Sequence, residues 1–314
     1  MNTGMLSVVI PAYNEQENIP HLVKSLEPVM EKLSREYEIV FIDDGSTDNT
    51  FDALKEARKN NSRIKIIKFR KNFGQTAALA AGFAHAKGDV IITMDSDLQN
   101  DPGDIPKLIE KLNENYDVVC GWRAERKDSI FKKLFSKFAN GLRRKITGEN
   151  IHDSGCTLRA YKKEAVVDLD LYGEMHRYIP ALLSWKGYKI GEVIVQHHAR
   201  RFGKTKYSWQ RIIKGFLDLL VVTFWQRYSA RPIHIFGSFG IILTLLGMII
   251  GGYLGFERLV LKISLADRPL FILSILMVVI GIQFFMSGIL ADIMVKVYHG
   301  QNGKRSYLIE RIEE

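Results

Sequence analysis

Val90-Ile91-Ile92-Thr93-Met94-Asp95-Ser96-Asp97-Leu98-Gln99 is the stretch on which the reading of this chain turns. Its uncharged run of apolar and β-branched residues has the character of a strand buried on both faces, and it stops at two carboxylates one residue apart. Open α/β sheets place ligands at the carboxyl ends of their strands. Asp95 and Asp97 would stand there, as hard oxygen ligands suited to Mg2+ or Mn2+ that can bridge to a diphosphate. An isolated Asp-X-Asp is most often a solvated turn, so the weight rests on its surroundings.

Upstream, strands and helices alternate. Leu6 to Pro11 reads as a strand, Ala12-Tyr13-Asn14-Glu15 as a loop, and Gln16 to Leu33 as a helix. Tyr37 to Ile42 is a second strand ending in Asp43-Asp44-Gly45-Ser46-Thr47-Asp48, whose Asp and Ser residues supply turn and N-cap chemistry for a helix over Phe51 to Lys59. Ile64 to Phe69 is a third strand, and Asn72-Phe73-Gly74 opens an Ala-rich helix, Gln75 to Ala86. Four such alternations in a hundred residues predict a parallel, doubly wound sheet. Further on come a helix over Ile105 to Asn113, a strand over Asp117 to Trp122, a basic helical segment over Arg123 to Lys145, the loop His152 to Cys156, a helix over Tyr178 to Lys186 and a short strand, Ile190 to Gln196.

The last third changes character. Trp209, Ile212, Ile213, Phe216, Leu217, Leu220 and Phe224 recur at helical spacing opposite Gln210, Arg211, Lys214 and Asp218, predicting an amphipathic helix over 207–231 that lies in a membrane interface. Two runs without formal charge follow, Pro232–Phe256 and Pro269–Ala291, each long enough to span a hydrocarbon core of roughly 30 Å. Their short connector makes them a hairpin within 232–295, and Gly237, Gly240, Gly247 and Gly251 form a face compatible with close helix packing and a homo-oligomer.

The 314 residues carry a formal net charge of +9. Between Gln196 and Arg231 there are eight Lys or Arg and one acid, immediately before the first span. Charge placed there points to an anionic substrate or membrane surface, not to nucleic acid, which is read along an aromatic stacking platform. Cys120 and Cys156 make no disulfide framework and fit a reducing compartment. Leu6 to Ile10 is too short for a signal segment. With Arg227, Arg231, Lys296, Lys304 and Arg305 at the open ends of the hairpin, the positive-inside bias puts residues 1–206 and the tail 296–314 in the cytoplasm, the chain residing in the cytoplasmic membrane.

Assembled, Val9 to Glu15, Asp43 to Asp48, Met94 to Gln99, Asp153 to Cys156 and Arg200-Arg-Phe-Gly-Lys-Thr-Lys-Tyr207 resemble, in order over about 200 residues, a family 2 glycosyltransferase of GT-A fold, and within it the polyprenyl-phosphate glycosyltransferases. The hairpin resembles the bacterial undecaprenyl-phosphate glucosyltransferases more than the soluble or differently anchored dolichyl-phosphate mannose synthases. The resemblance implies an inverting transfer of a hexose, glucose from UDP-glucose first, to a polyprenyl phosphate such as undecaprenyl phosphate. It also implies that Pro11, Tyr13, Glu15, Ile42 and Asp44 hold the nucleoside, and that Asp95, Ser96, Asp97 and Gln99 form the metal and diphosphate site with Asp95, Asp97 and Gln99 as ligands. By the same resemblance Arg200 and Lys206 match the motif that closes over the donor diphosphate, and Arg123, Lys132 and Ser136 match positions that cradle the acceptor phosphate. Some relatives carry Arg where this chain has Lys132, which keeps the charge and loses the bidentate fork.

Asp153 falls where the family places its base, and a phosphate monoester near its dianion at pH 7 leaves it only orienting or finishing a deprotonation. Alternatives within the same reading are GDP-mannose or UDP-N-acetylglucosamine as donor. A silent nucleotide-sugar sensor would be expected to lose one of the two metal carboxylates, and both are present. A processive polysaccharide synthase would carry Gln-X-X-Arg-Trp on its interfacial helix, a pattern that Gln210-Arg211 and Trp225-Gln226-Arg227 do not make.

Overall fold

A computed structural model describes residues 4–124, 151–167, 169–199, 232–262, 264, 268–300 and 309–313. The basic segment after Arg123, with Lys132 and Ser136, the motif holding Arg200 and Lys206, and the amphipathic stretch 207–231 lie outside the described residues. The chain divides into two units, 1–219 with 305–314, and 220–304.

In the first unit, β1 (Leu6–Ala12), β2 (Tyr37–Asp43), β3 (Ile64–Phe69) and β4 (Val90–Thr93) alternate with α1 (Asn18–Lys32), α2 (Thr50–Asn60) and α3 (Gln75–His85). They make the expected parallel core, in the order β3-β2-β1-β4. Every residue of β2 and β4 is buried, because helices cover both faces. Ile19, Leu22, Leu26 and Met30 of α1 meet Leu6, Val8, Ile10, Ile39 and Phe41 on one face, together with α4 (Ile105–Asn113). On the other face α3 lies close to the sheet at Gly82, where a Cβ would fall 2.2 Å from the Val9 side chain. The small residues of the Ala-rich helix make that approach possible.

Beyond β4 the sheet turns mixed. β6 (Arg159–Lys162) runs antiparallel between β4 and β5 (Val118–Trp122), and β7 (Ile190–Ile194) pairs parallel with β5. The sequence reading had no strand at 159–162. Arg159-Ala-Tyr-Lys162 lacks both a continuous apolar run and a clean alternation, because Arg159 and Tyr161 are buried polar residues. A short helix, α5 (Ile179–Trp185), precedes β7. The tail, for which the sequence predicts no element, contributes β8 (Ile309–Glu313), which pairs antiparallel with β3 through Ile66↔Glu313 and Ile67↔Ile312 and covers the sheet edge.

The second unit is a helical hairpin of α6 (Ile233–Val260) and α7 (Pro269–Gly300), both running past the uncharged segments. Both are long and apolar enough to cross a membrane. Ile249 is 67% exposed and Ile272 70%, exposure that a soluble core helix would not tolerate and that hydrocarbon accepts. Gly240 and Gly281 meet backbone to backbone, and Gly247 faces the Ser274 carbonyl. The glycine face predicted to suit an oligomer is thus occupied within the chain at Gly237, Gly240 and Gly247.

Removing residues 305–314 should uncover the outer edge of β3. The expected result is at least about tenfold faster hydrogen exchange at β3 amides bonded to β8, with those of β1 unchanged. Equal protection in both forms would show that β8 contributes nothing to the edge.

Candidate active site

The carboxyl ends of β1, β2 and β4 carry loops that hydrogen-bond one another. Asn14, in the left-handed region at φ 56°, accepts from Thr47 N at 2.8 Å, and its own N donates to Ser46 Oγ at 3.0 Å. Glu15 N donates to Thr50 Oγ1 at 2.8 Å, and Gln16 Oε1 accepts from Asn49 N at 2.9 Å. Gly45 has φ +67°, and a Cβ there would lie 2.3 Å from the Lys71 backbone. Only glycine fits.

Of the residues expected to hold a nucleoside, Pro11 and Tyr13 are half-buried at this loop cluster and Glu15 lies in the turn leading into α1, its carbonyl accepting from Asn18 N at 2.9 Å. Asp44 accepts from Phe73 N at 2.7 Å, Gly74 N at 2.9 Å and Asn72 Nδ2 at 2.9 Å, so it shapes the loop after β3. Ile42 is fully buried against α3, beneath the loops and not on their surface.

The turn after β4 is tight. Asp97 Oδ1 accepts from Gln99 N at 3.1 Å, and Leu98 between them sits at φ 62°, a strained setting for a branched side chain that recurs at functional sites. Ser96 Oγ donates to the Pro11 carbonyl at 3.0 Å, joining this turn to β1. Asp95 is fixed by Gln75 Nε2, which donates to Oδ1 at 2.8 Å, and by its own N–H to Asn100 Oδ1 at 3.0 Å. Burial and then the like charge of Asp97 push the Asp95 carboxyl up to about 6, against Thr157 and the charges of Arg123 and Arg159.

Two carboxylates forced together in a partly dry turn are relieved by a cation between them, so Asp95 and Asp97 fit a divalent metal. Gln99 stands beside them, its Nε2 donating to the His198 carbonyl at 3.4 Å, which leaves its Oε1 as the atom with ligand character. Among the described residues no group of three His, Cys, Asp or Glu side chains is gathered for a metal. Two carboxylates with the remaining positions left to a substrate diphosphate and water is an arrangement typical of Mg2+-type sites.

Opposite this turn, Arg123 and Asp153 form one unit. Arg123 Nε donates to Asp153 Oδ2 at 2.7 Å and Nη2 to Oδ1 at 2.9 Å, with the two side chains 11% and 13% exposed. Burial works against the Arg123 charge, but the Asp153 carboxylate outweighs it and holds the guanidinium protonated above its usual value. Gly155 N donates to Asp153 Oδ1 at 3.2 Å. Glu192 of β7 clamps the same loop, Oε1 accepting from His152 N at 2.8 Å and Oε2 lying 2.8 Å from His152 Nδ1, while the imidazole stacks on Trp122. Cys156 is buried, its thiol pushed up to about 11 by that burial, which removes it as a nucleophile.

Sequence reasoning missed four supports: Gln75, Asn100, Arg159 and Glu192. Arg159 Nη2 donates to the Ser154 carbonyl at 2.5 Å and Nη1 to the His176 carbonyl at 3.2 Å, linking two loops beneath Asp95. Gln75 follows the carboxyl end of a strand and was findable by that rule; Glu192 is an ordinary strand glutamate with no local signal. Arg200 and Lys206 are outside the described residues, but the segment leading to them is pinned to the Asp95–Gln99 turn. His198 N donates to the Gln99 carbonyl at 2.9 Å, His198 Nε2 lies 3.0 Å from Asp101 Oδ2, and Gln196 N donates to Asp104 Oδ2 at 2.6 Å.

The sequence profile described as Glycosyl transferase family 2 matches residues 7–169. Dodecaprenyl-phosphate galacturonate synthase of Rhizobium johnstonii is 39% identical over 312 residues, covering 98% of this chain and 92% of its own. Undecaprenyl-phosphate 4-deoxy-4-formamido-L-arabinose transferase of Klebsiella pneumoniae is 38% identical over 309 residues, covering 98% and 93%. Among solved structures, glucosyl-3-phosphoglycerate synthase of Mycobacterium tuberculosis, in complex with Mn2+ and uridine-diphosphate-glucose, superposes with a TM-score of 0.54 at 19% identity, covering 70% of this chain and 79% of that one. That last likeness is one of fold.

Asp97→Asn should preserve the fold by circular dichroism and weaken Mn2+ binding, measured by calorimetry without substrate, by more than about tenfold. In the unsubstituted protein Mn2+ binding should weaken as pH falls through about 6, because Asp95 then takes up a proton that the cation must displace. Unchanged Mn2+ affinity in the variant would remove Asp97 from the ligand set.

Proposed function

The chain belongs to glycosyl transferase family 2, and from that membership we propose that it is a membrane-bound polyprenyl-phosphate glycosyltransferase. The observation that carries this reading is the juxtaposition of an acidic pair suited to a metal-bound diphosphate, Asp95 and Asp97, with a buried arginine suited to a second phosphate, Arg123. A donor nucleoside diphosphate-sugar and a phosphorylated acceptor are the two anions such a site serves.

In the proposed reaction an oxygen of the polyprenyl phosphate attacks the anomeric carbon, and the bond from that carbon to the nucleoside diphosphate breaks with inversion. A bound Mg2+ or Mn2+ would neutralise charge on the departing diphosphate. Pro11, Tyr13, Glu15 and Asp44, on loops joined through Asn14 and Ser46, are assigned to the nucleoside end, with Ile42 beneath them, and Ser96 ties the metal turn to β1. Arg200 and Lys206, following a segment bonded to Gln99, are assigned to the diphosphate, and Arg123, Lys132 and Ser136 to the acceptor phosphate. Charge-assisted and bidentate bonds from such groups are the strong ones.

The domain division follows the same reading: a catalytic domain over 1–206, an interfacial helix over 207–231, two spans within 232–295 and a tail. The tail returns β8 to the catalytic sheet, which supports an even number of crossings with both ends of the hairpin on one side, and the positive-inside bias assigns that side to the cytoplasm. For the sugar, glucose from UDP-glucose remains one candidate. The two relatives, of nearly equal identity, are named for galacturonate and for a formamido-arabinose, so the donor is to be found by trial.

The test is mass spectrometry of lipids after incubating the detergent-solubilised protein with undecaprenyl phosphate, Mg2+ and, separately, UDP-glucose, UDP-galacturonate, a UDP-linked formamido-arabinose, UDP-N-acetylglucosamine or GDP-mannose. One donor should yield a glycosyl-phosphate lipid that disappears with EDTA. Nucleotide binding without lipid product from any donor would favour a sensor instead.

A further inference from the structure

We infer that Asp153 is a positioning residue for Arg123, fixing the guanidinium so that its outer edge receives the acceptor phosphate, and is not the group that removes a proton. The inference rests on the proposed acceptor being a phosphate monoester. It starts from an incompatibility: one residue expected to act as base and another expected to bind phosphate are bonded to each other.

Asp153 has little left to offer a substrate. Its Oδ2 takes Arg123 Nε at 2.7 Å and the Arg123 backbone N at 3.4 Å, and its Oδ1 takes Arg123 Nη2 at 2.9 Å and Gly155 N at 3.2 Å. A carboxylate bonded on both oxygens by a fork and a turn amide is stabilised as the anion and is a poor proton acceptor. Arg123, by contrast, bonds through only one edge among the described residues. A guanidinium has five N–H groups in a rigid plane, and with the Nε/Nη2 edge on Asp153 the opposite edge, formed by Nη1 and the second hydrogen of Nη2, keeps the fork spacing that fits phosphate. The plane cannot turn without breaking two short bonds.

The pair is supported from behind. Glu192 fixes the loop through His152 N at 2.8 Å, and a side chain at Gly155 would press on Arg123, its Cβ lying 3.1 Å from Nη2. An arginine with two or three rotatable outcomes is thereby held in one. This arrangement suits an acceptor that is already largely ionised at neutral pH, where aiming a cation matters more than stripping a proton.

The experiment is a double-mutant cycle on the full chain in detergent, with Asp153→Asn, Arg123→Lys and both. Binding of farnesyl phosphate, with farnesol as control, is measured by calorimetry without any donor, and kcat and acceptor KM are measured across pH with the donor that the lipid assay identifies. Asp153→Asn should weaken phosphate binding and raise acceptor KM by roughly 10- to 100-fold, the range for a bond to a charged group, while kcat at saturating acceptor stays within about tenfold and the pH profile keeps its shape. Adding Arg123→Lys should cost little more, since both changes undo one aimed fork. A kcat loss of about 100-fold or more with unchanged phosphate binding, or independent effects of the two substitutions, would overturn the inference and restore Asp153 as base. Should Asp153→Asn fail to fold, Arg123→Lys with Gly155→Ala reads the same geometry, with weakened phosphate binding in both expected and unchanged binding contrary. Phosphate binding without sugar transfer by the unsubstituted protein would defeat the proposed function and leave the binding arm standing. No phosphate binding at all would defeat both.

Discussion

Two carboxylates at the end of one buried strand set the terms for the rest of the structure. Burial and mutual repulsion raise the energy of the ionised pair Asp95 and Asp97, and the protein pays for this with a ring of donors and cations. Gln75 comes from the first turn of α3, Asn100 from the turn itself, Arg159 from β6 and Arg123 from the end of β5. Each requires its own element to be in place. The antiparallel strand β6 is the clearest case, because inserting it between β4 and β5 is what brings Arg159 under the acidic turn.

The second constraint is that the polar groups of these loops find partners within the chain. Unpaired polar groups in a half-buried cleft would cost more than they return, and here they are paired across loops: Asn14 with Ser46 and Thr47, Glu15 with Thr50, Asp44 with residues 72–74. Asn14, Gly45 and Leu98 hold left-handed conformations at three of these turns, which is the local cost of bringing the strand ends together.

Legibility in the sequence followed the physics of each element. The parallel core was readable because β1 to β4 are continuous apolar runs and their helices are periodic. The acidic turn was readable because carboxylates at a strand end are anomalous. β6 was not, since Arg159 and Tyr161 are buried by partners far away in sequence, and β8 was not, since Ile309 to Glu313 gains its structure only from the edge of β3. Glu192 gave no signal at all, its value lying in two hydrogen bonds to a loop some forty residues earlier. The glycine face of the first span was legible as a packing surface, but composition alone did not say that α7 of the same chain would fill it.

The two halves of the site are opposite in sign. Arg123 and Arg159 lower the cost of ionising Asp95, so they partly neutralise the acidic turn. In the proposed reaction a cation and a diphosphate would occupy the acidic turn and a phosphorylated acceptor would meet Arg123, so one guanidinium would face two anions. Its bonds to Asp153, Nε to Oδ2 and Nη2 to Oδ1, keep it from swinging toward the first. A buried ion pair is weak evidence for stability, and here its geometry argues for direction.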